Sequence, residues 1–452
     1  MQEKINGKSG QNQINMQDSN RAEVLRFLAL HPGCSRAELG EATGLTQASM
    51  TKIVRSLTKS GLIYETGFTA GKKGRRSVGL SLNYNRYKVL AIRLSAHWLE
   101  MQPHDFHGQP CGHLLSVPIE ALSEANMPSI IERIADGVTT FLKDFPELTA
   151  TAIAVPDPCR RADGSILIPS DTNTNTDTNT DTNTNTVADT ATIKDTAKDT
   201  DKDATKNNSS AKLFPLCKKL EEQIDLPVFL IHDADAGAIA CWHNLPDKNT
   251  GEVMLHIFAD DSIEVGLTRG GLCLHDARMI SMAGHLPIDP QGHVCPKCGR
   301  TGCLDSLASL SALESKANQE LSAFPESLLN RVSAISARSV FESARQWDPL
   351  AMKLIRDCGH NLGLGIASLL SICTPDRIFI SGGMTHGGML LLEDAKKTAT
   401  KHLASYQTLP PIELVSPDEN RILTGTAYFA IQQLLNAPSR YLLPPDSEES
   451  KN

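Results

Sequence analysis

The stretch CSRAELGEATGLTQAS, residues 34–49, contains the signals for two short helices joined by a tight turn. Ser35 and Glu38 form a capping box, because the hydroxyl accepts from a free amide of the first turn and the carboxylate returns to the amide of the cap. Gly44 ends this helix, and Thr46 caps the next one. Two short helices joined by a glycine turn predict a helix-turn-helix.

The helix after Thr46, residues 47–59, has two unlike faces. Apolar side chains recur with helical spacing along one face and predict its buried side: Met50, Ile53, Val54 and Leu57. Polar side chains point outward from the first turns, the end of such a helix that enters the major groove and reaches base edges and phosphates. The predicted DNA contacts of this helix are Gln47, Ser49, Thr51, Lys52 and Arg55.

A first helix over residues 22–30, capped by Ser19 or Asn20, is predicted to precede this pair. Two predicted strands, 62–66 and 77–82, follow it and bracket the loop GFTAGKKGRR. A basic loop on flexible glycines is typical of a wing that contacts phosphates or the minor groove. The predicted wing contacts are Lys72, Lys73, Arg75 and Arg76, and the alternative interpretation of the same elements is a module that docks a partner protein.

Charge is distributed unevenly along the chain. Lys and Arg total 44 against 52 Asp and Glu, a net charge of 44 − 52 = −8, which argues against a protein that coats nucleic acid with its whole surface. Residues 21–82, in contrast, hold 10 Lys or Arg against 4 Glu, a local +6. No apolar run reaches the roughly 18 residues that a membrane span needs, and the start has no apolar signal core. We therefore expect a cytoplasmic protein, not inserted in a membrane, with its nucleic-acid contacts near the front.

Three of the 11 cysteines fall within nine residues. In Cys295-Pro-Lys-Cys298-Gly a tight turn lets two thiolates converge at about 2.3 Å from one zinc ion, and Cys303 supplies a third. His285 or His293 would complete a tetrahedral Cys3His site, and four protein ligands leave no open position for activated water. We prefer His285, because His293 lies so near Cys295 that reaching the same ion would strain the loop. The prediction is one structural Zn²⁺ per chain; ordinary buried thiols are the alternative.

Residues 171–212, rich in Asp, Thr and Asn, interrupt the second part of the chain. They lack aromatic residues and cannot bury enough apolar surface to offset their ordering entropy, which predicts a disordered insertion. A partner-binding or lid role is the alternative. Outside it, the strand-like runs VMLHIFA and RIFISGG alternate with helical patterns over residues 339–347, 349–373 and 391–406. This alternation predicts an α/β fold.

From Arg21 onward, apart from the insertion, these motifs resemble the ROK family of sugar kinases and sugar-responsive repressors. The helix-turn-helix stretch resembles that of the family's repressors, and His285 with Cys295-x-x-Cys298-Gly-x-x-Gly-Cys303-Leu-Asp305 resembles the family's zinc signature. One residue is inserted between the first two thiols, and Asp305 replaces a Glu. The resemblance implies a two-lobed, actin/hexokinase-like (ribonuclease H-like) α/β domain behind a winged helix-turn-helix domain. It also implies a homodimer or higher homo-oligomer and a sugar cleft between the lobes.

On this basis we expect six segments. These are a disordered tail (1–18), the winged helix-turn-helix domain (19–82), a first lobe with the insertion (83–228), a second lobe with the zinc loop 285–303 (229–420), a C-terminal helix returning to the first lobe (421–440) and a tail (441–452).

The phosphate-binding turns of a ROK kinase have no intact counterpart in this sequence. The first, Asp-x-Gly-x-Thr, corresponds to residues 92–97, where Arg93 stands at the Asp position and the glycines are missing. The second, normally glycine-rich, corresponds to residues 259–266 and carries three carboxylates. Because phosphates need bare backbone amides, ATP should be repelled and the protein should not be an enzyme.

The sugar side of the cleft is only partly matched. Asp233 stands where a kinase has its general base, although it would serve equally as the cap of the following helix. Met282 replaces a Glu expected near His285. The predicted ligand-binding residues are His232, Asp233 and Asp305.

The resemblance is greatest to the repressors of phosphotransferase-system glucose and N-acetylglucosamine genes, on LPVFLIHD (226–233), Ile288-Asp289-Pro290 and LTGTA (423–427). We therefore expect a regulator, a repressor of sugar uptake or metabolism genes, that binds double-stranded DNA. Its control would come from a sugar, a sugar phosphate or a sugar transporter subunit. The alternative is a ROK kinase of hexoses or N-acetylhexosamines with a DNA-binding appendage; a metal-dependent scaffold without an effector is a third hypothesis.

Overall fold

The computed structural model describes residues 6–70, 76–156, 158–169, 211–274, 282–416 and 420–443. They form a small N-terminal domain and two α/β lobes, each built on a five-stranded sheet. Within these residues no helix is long and apolar enough to cross a membrane.

The N-terminal domain contains three helices and a three-stranded antiparallel sheet of order β1-β3-β2. The predicted capping box of Ser35 and Glu38 is present, Gly44 adopts the left-handed conformation, and Thr46 caps the third helix, which confirms the predicted helix-turn-helix. In chain order the elements are α1 (Asn6–Leu30), β1 (Cys34–Ser35), α2 (Arg36–Thr43), α3 (Gln47–Lys59), β2 (Ile63–Ala70) and β3 (Arg76–Leu82).

Helix α1 differs from its prediction. It begins at Asn6, so Ser19 and Asn20 lie inside the helix and do not cap it, and residues 6–18 of the predicted tail are helical. Contacts from the far end of the chain explain part of the difference. The carboxylate of Asp18 accepts a hydrogen bond from the backbone amide of Ser439 at 3.0 Å, and Arg21 donates to the Ser439 hydroxyl at 2.8 Å. These partners are more than 400 positions away, and no local pattern indicates them.

The first lobe has a mixed sheet of order β11-β7-β4-β5-β6, in which β4, β7 and β11 run parallel. Its last strand runs from Val228 to His232, so the predicted lobe boundary at residue 228 falls one strand too early. A buried strand pattern does not show which sheet the strand joins. The elements are β4 (Lys88–Leu94), β5 (Trp98–Asp105), β6 (Leu115–Pro118), α4 (Met127–Asp144), β7 (Leu148–Val155), β8 (Cys159–Arg160), β9 (Ser165–Pro169), β10 (Ala211–Phe214), α5 (Leu216–Glu221) and β11 (Val228–His232).

The insertion connects the paired strands β9 and β10. Pro169 is the register partner of Ala211, so the segment between them leaves and re-enters the fold at adjacent positions. Ala211 and Lys212, predicted to belong to the insertion, lie in β10 and are ordered by this pairing. The rest of the predicted insertion, residues 171–210, lies outside the described residues.

The second lobe has a sheet of order β14-β13-β12-β15-β16 covered by helices, and its three predicted helices occur close to their expected positions. The elements are α6 (Asp233–His243), β12 (Val253–Ala259), β13 (Ile263–Arg269), β14 (Leu272–Cys273), α7 (Asp305–Ala308), α8 (Leu310–Glu320), α9 (Ala337–Arg345), α10 (Pro349–Leu370), β15 (Arg377–Ser381), α11 (Gly388–His402) and β16 (Ile412–Leu414).

Two C-terminal helices, α12 (Arg421–Asn436) and α13 (Pro438–Tyr441), join the parts of the molecule. Helix α12 packs against α6 and against β4 and β7 of the first sheet. The approach is close, because a Cβ added at Gly425 would lie 1.7 Å from the carbonyl oxygen of Ala236. Buried residues of α1, such as Leu25, share one apolar core with Leu434 of α12. The winged-helix domain is therefore packed on the first lobe.

Candidate DNA-binding surface, metal centre and interlobe cleft

Helix α3 presents a polar face at its N-terminal end. Its apolar residues Met50, Ile53, Val54 and Leu57 are buried, as the spacing predicts. Four of the five predicted DNA contacts are exposed: Gln47, Thr51, Lys52 and Arg55. Ser49 is half-buried. Its amide donates to the Thr46 hydroxyl of the cap at 3.3 Å, and that hydroxyl donates to the Ser49 hydroxyl at 3.0 Å.

The two cations of this face have no carboxylate partner in the described part of the chain, whereas the nearby Arg36 pairs with Glu65 at 2.9 Å. The charges of Lys52 and Arg55 are therefore available to an anion. Of the predicted wing contacts, Lys72, Lys73 and Arg75 lie outside the described residues, and Arg76 is the first residue of β3, paired with Ala70.

The zinc-knuckle sequence brings four ligand side chains together. The ligand atoms of His285, Cys295, Cys298 and Cys303 all lie within 4.8 Å of one another. The sulfur atoms of Cys298 and Cys303 are 3.4 Å apart, and Cys295 Sγ lies 3.6 Å from His285 Nδ1. A tetrahedral zinc ion with bonds of about 2.3 Å to sulfur requires sulfur atoms about 3.8 Å apart, so this donor set fits zinc.

Backbone turns position these four side chains. The amide of Cys295 donates to the Arg300 carbonyl at 2.7 Å, and the amide of Gly299 donates to the Cys295 carbonyl at 2.9 Å, which closes the knuckle. Gly302 has a φ of 65° and lies so close to Asp289 that an added Cβ would be 1.6 Å from its carbonyl oxygen. Only glycine fits there.

His293, the alternative fourth ligand, is not in the four-residue cluster and instead accepts a backbone hydrogen bond from Gly302 at 2.8 Å. Burial raises the pKa of the Cys295 and Cys303 thiols. Without a cation these thiols stay protonated, whereas a bound metal stabilises the thiolates. The positions of the four side chains thus favour His285 over His293 as the fourth metal ligand.

Arg93 occupies the interlobe cleft from the first lobe. Its Nε lies 3.1 Å from Asp233 Oδ2, and its Nη1 lies 3.5 Å from Glu100 Oε2. The guanidinium lies 5.2 Å from the centre of the Phe258 ring of the second lobe. Asp233 is only 1% exposed, and burial raises its pKa. Because a cation beside a carboxylate lowers its proton affinity, the pairing with Arg93 opposes the use of Asp233 as the base for a sugar hydroxyl.

Asp233 does not serve as a helix cap. Helix α6 begins at Asp233 itself, and the cap position is His232, without a side-chain capping bond. The Nε2 of His232 lies 2.9 Å from Glu264 Oε2. This buried pair joins the end of the first sheet to strand β13.

Acidic side chains occupy the β12–β13 turn that corresponds to the second phosphate turn of a kinase. Burial raises the pKa of Asp260 to about 6, with Asp261, Asp233 and Glu264 adding to the shift and Arg93 opposing it. An ATP phosphate at this turn would meet these carboxyl groups, and its negative charge would be destabilised.

Lys297 links the metal loop to this turn. Its Nζ lies 3.0 Å from Asp305 Oδ2 and 3.1 Å from the Asp261 carbonyl oxygen, while Asp305 Oδ1 accepts from the amide of Ile263 at 2.7 Å. Both carboxylate oxygens of the predicted ligand residue Asp305 therefore have partners within the protein. No sequence signal indicates Lys297 or Glu100, because only the folded chain brings them beside Asp305 and Arg93.

Comparison with known proteins agrees with this two-part organisation. Residues 119–433 match the ROK family, and residues 15–74 match the MarR family. The chain is 24% identical over 429 residues to a putative xylose repressor of Caldicellulosiruptor sp., covering 93% of this chain and 97% of that protein. It is 22% identical over 421 residues to the DNA-binding transcriptional dual regulator NagC of Escherichia coli, covering 92% and 93%.

A kinase is also similar, over a shorter stretch. A glucokinase of Halalkalibacterium halodurans is 31% identical over 201 residues, covering 43% of this chain and 58% of that protein. Among solved structures, a ROK family transcriptional regulator described as a homologue of the E. coli MLC protein superposes with a TM-score of 0.72 at 22% identity, covering 94% of this chain and 97% of that chain. The shared fold is the actin/hexokinase-like α/β fold with an N-terminal winged helix, as predicted.

Proposed function

Because the chain belongs to the ROK family, we propose that it is a DNA-binding transcriptional repressor of sugar uptake or metabolism genes. The observation that carries the proposal is helix α3, whose outer face ends in two cations without carboxylate partners in the described part of the chain. The repressors that match over nearly the whole chain, domain for domain, support it.

The N-terminal end of α3 enters the major groove of double-stranded DNA in this proposal. Gln47, Ser49 and Thr51 reach base edges, while Lys52 and Arg55 contact phosphates. The wing residues Lys72, Lys73, Arg75 and Arg76 add backbone or minor-groove contacts. A homodimer presents two such helices to a palindromic operator, with half-sites about one helical turn apart.

One Zn²⁺ per chain, held by His285, Cys295, Cys298 and Cys303, completes the metal loop. The ion supplies the positive charge that keeps three thiolates ionised in a partly buried site. Four protein ligands leave no position for a substrate, so its role is structural. Lys297, between two of these ligands, extends the ordered loop to the cleft.

The residues of the interlobe cleft favour the function of a regulator over that of a kinase. Arg93 pairs with Asp233 at the position of the general base, and Asp260 lies in the second phosphate turn. The shorter match to a glucokinase favours the kinase alternative only over part of the chain. The control signal is carbohydrate status, delivered by a sugar, a sugar phosphate or a sugar transporter subunit, with His232, Asp233 and Asp305 as the cleft residues concerned.

Selection of genomic DNA fragments on the purified full-length protein tests the proposal. We expect a sequence-selective, salt-sensitive complex with fragments that lie beside sugar genes. Lys52→Ala or Arg55→Ala should weaken binding about tenfold and reduce the salt slope by roughly one unit. Arg338→Ala is the matched control, because within the described residues this exposed arginine forms an ion pair only with Glu342 on its own helix α9. Equal binding to all duplexes, or no loss in either α3 variant, would refute the proposal.

A further inference from the structure

A cavity lies where the winged-helix domain meets the first lobe. Its volume is about 280 Å³, and its lining residues come from both sides of the junction: Tyr64, Asn83, Tyr84, Asn85 and His107. Tyr64 belongs to strand β2, whereas His107 follows strand β5 of the first lobe. The cavity is separate from the interlobe cleft and from the metal loop.

Its walls are fixed by contacts with the rest of the fold. The Asn83 amide donates to the Leu62 carbonyl at 2.8 Å, and its side chain donates to the Gly61 carbonyl at 3.1 Å. Tyr84 and His107 stack with ring centres 3.5 Å apart and planes inclined by 16°. The two rings therefore hold each other in a defined orientation at the cavity wall before any ligand binds.

Several polar groups of the lining have no partner in the described part of the chain. The hydroxyls of Tyr64 and Tyr84 and the side-chain amide of Asn85 make no hydrogen bond there. Burial and the neighbouring Tyr64 raise the pKa of Tyr84 to about 12, so its hydroxyl stays a neutral donor at physiological pH. The cavity thus offers donors and acceptors next to aromatic faces.

This lining selects an uncharged ring with many hydroxyls. Aromatic faces pack against the C–H face of a sugar ring, and amides and phenols bond its hydroxyls. Apart from His107, none of the five lining residues is of an ionic type, so the cavity offers no Lys, Arg, Asp or Glu side chain to balance a phosphate or an ammonium group. The volume lies just below the range of about 300–1,000 Å³ that is typical of small-molecule sites, and suits one ring.

We propose that this junction cavity binds an unphosphorylated monosaccharide. Such a ligand touches strand β2 of the DNA-binding domain and the first lobe at once, and so holds the two in one relative orientation. If one orientation suits the operator better, ligand binding and DNA binding are coupled by the same factor in both directions. Only this regulatory consequence rests on the function proposed above; ligand binding itself does not.

Titration calorimetry on the full chain tests the site with D-glucose, D-xylose, N-acetyl-D-glucosamine and glucose 6-phosphate as probes. We expect at least one neutral sugar to bind, and both Tyr64→Ala and Asn85→Ala to weaken it tenfold or more. Both residues are exposed at the surface, so these variants should fold. Tyr406→Ala is the matched control, because Tyr406 is 88% exposed and lies after α11 of the second lobe.

A second variant distinguishes this site from the cleft. If Asp305→Asn abolishes sugar binding while Tyr64→Ala and Asn85→Ala do not weaken it, the sugar occupies the cleft and the proposal is wrong. It is also wrong if no neutral sugar binds, or if Tyr64→Ala weakens only DNA binding, which would make the cavity part of the DNA surface. DNA binding by the sugar-free protein tests the repressor function separately.

Discussion

Arg93 and Asp233 show how a single replaced residue changes what a cleft can do. A guanidinium now stands where the family's kinases have an Asp, and it pairs with a carboxylate that is 1% exposed. Removing one member of a buried pair leaves an uncompensated charge, which is more costly than the pair is stabilising.

We therefore expect Arg93→Met to lower the free energy of unfolding by about 3–5 kcal/mol, measured by urea denaturation. The double variant Arg93→Met with Asp233→Asn should recover part of the loss, because the more deeply buried of the two carboxylates beside Arg93 is then replaced by a neutral amide. Arg338→Met, on the exposed surface of α9, should change stability by less than about 0.5 kcal/mol. A double variant less stable than Arg93→Met would contradict this account.

Asp260 makes stability depend on pH. Its pKa in the folded protein is about 6, above the ordinary 3.8, so the folded state holds the proton more tightly than the unfolded state. The contribution of the protonated carboxyl to the free energy of unfolding is fully present below pH 3.8 and is lost as the pH rises through 6. Asp260→Asn should therefore stabilise the protein at pH 8 by roughly 1–3 kcal/mol and hardly at all at pH 4. Asp261→Asn, at the exposed neighbouring position, is the control variant. Equal effects of the two substitutions on stability would count against the prediction.

The ligand set of the metal loop, residues 285–303, can be tested by replacing each of its two histidines with alanine in turn. His285→Ala should lower zinc affinity at least tenfold and lower the melting temperature, because three thiols remain without their fourth partner. His293→Ala should keep one zinc per chain, since His293 is outside the four-residue cluster and its backbone carbonyl, which accepts from Gly302, is kept in the variant. Elemental analysis of the purified proteins and thermal melting with and without a chelator measure both effects. Equal zinc loss in the two variants would make the assignment of His285 wrong.

The β9–β10 hairpin predicts that its long connection is dispensable for folding. Replacing residues 170–210 with Asn-Gly should give a tight hairpin, because Pro169 and Ala211 are already paired. Shortening the connection lowers its closure entropy, so the free energy of unfolding should stay the same or rise by up to roughly 2–3 kcal/mol. Denaturant unfolding and operator binding are the measurements, with a scrambled insertion of equal length as control. Loss of operator binding in both variants would support the lid or partner role instead.

The two lobes together predict that the molecule transfers no phosphoryl group. Arg93 and Asp260 stand in the stretches that correspond to the two phosphate turns of a kinase, where a phosphate needs bare backbone amides. A coupled assay for ADP release across hexoses and N-acetylhexosamines should therefore stay at background, with a ROK glucokinase as positive control. Turnover well above background that disappears in Asp233→Asn would make the kinase alternative correct.

The sequence alone determined the features whose signals lie within a few residues. The caps and the buried face of α3 follow from hydrogen bonds and contacts three or four positions apart, and the knuckle around Cys295 and Cys298 is a tight local turn. Tertiary structure decided the rest: the extension of α1 beside Ser439, the placement of β11 in the first sheet, the pairing of Arg93 with Asp233 and the cavity at the domain junction. Arg93 and Asp233 are 140 positions apart. Such contacts depend on how whole sheets and helices pack, and no local or periodic sequence pattern indicates them.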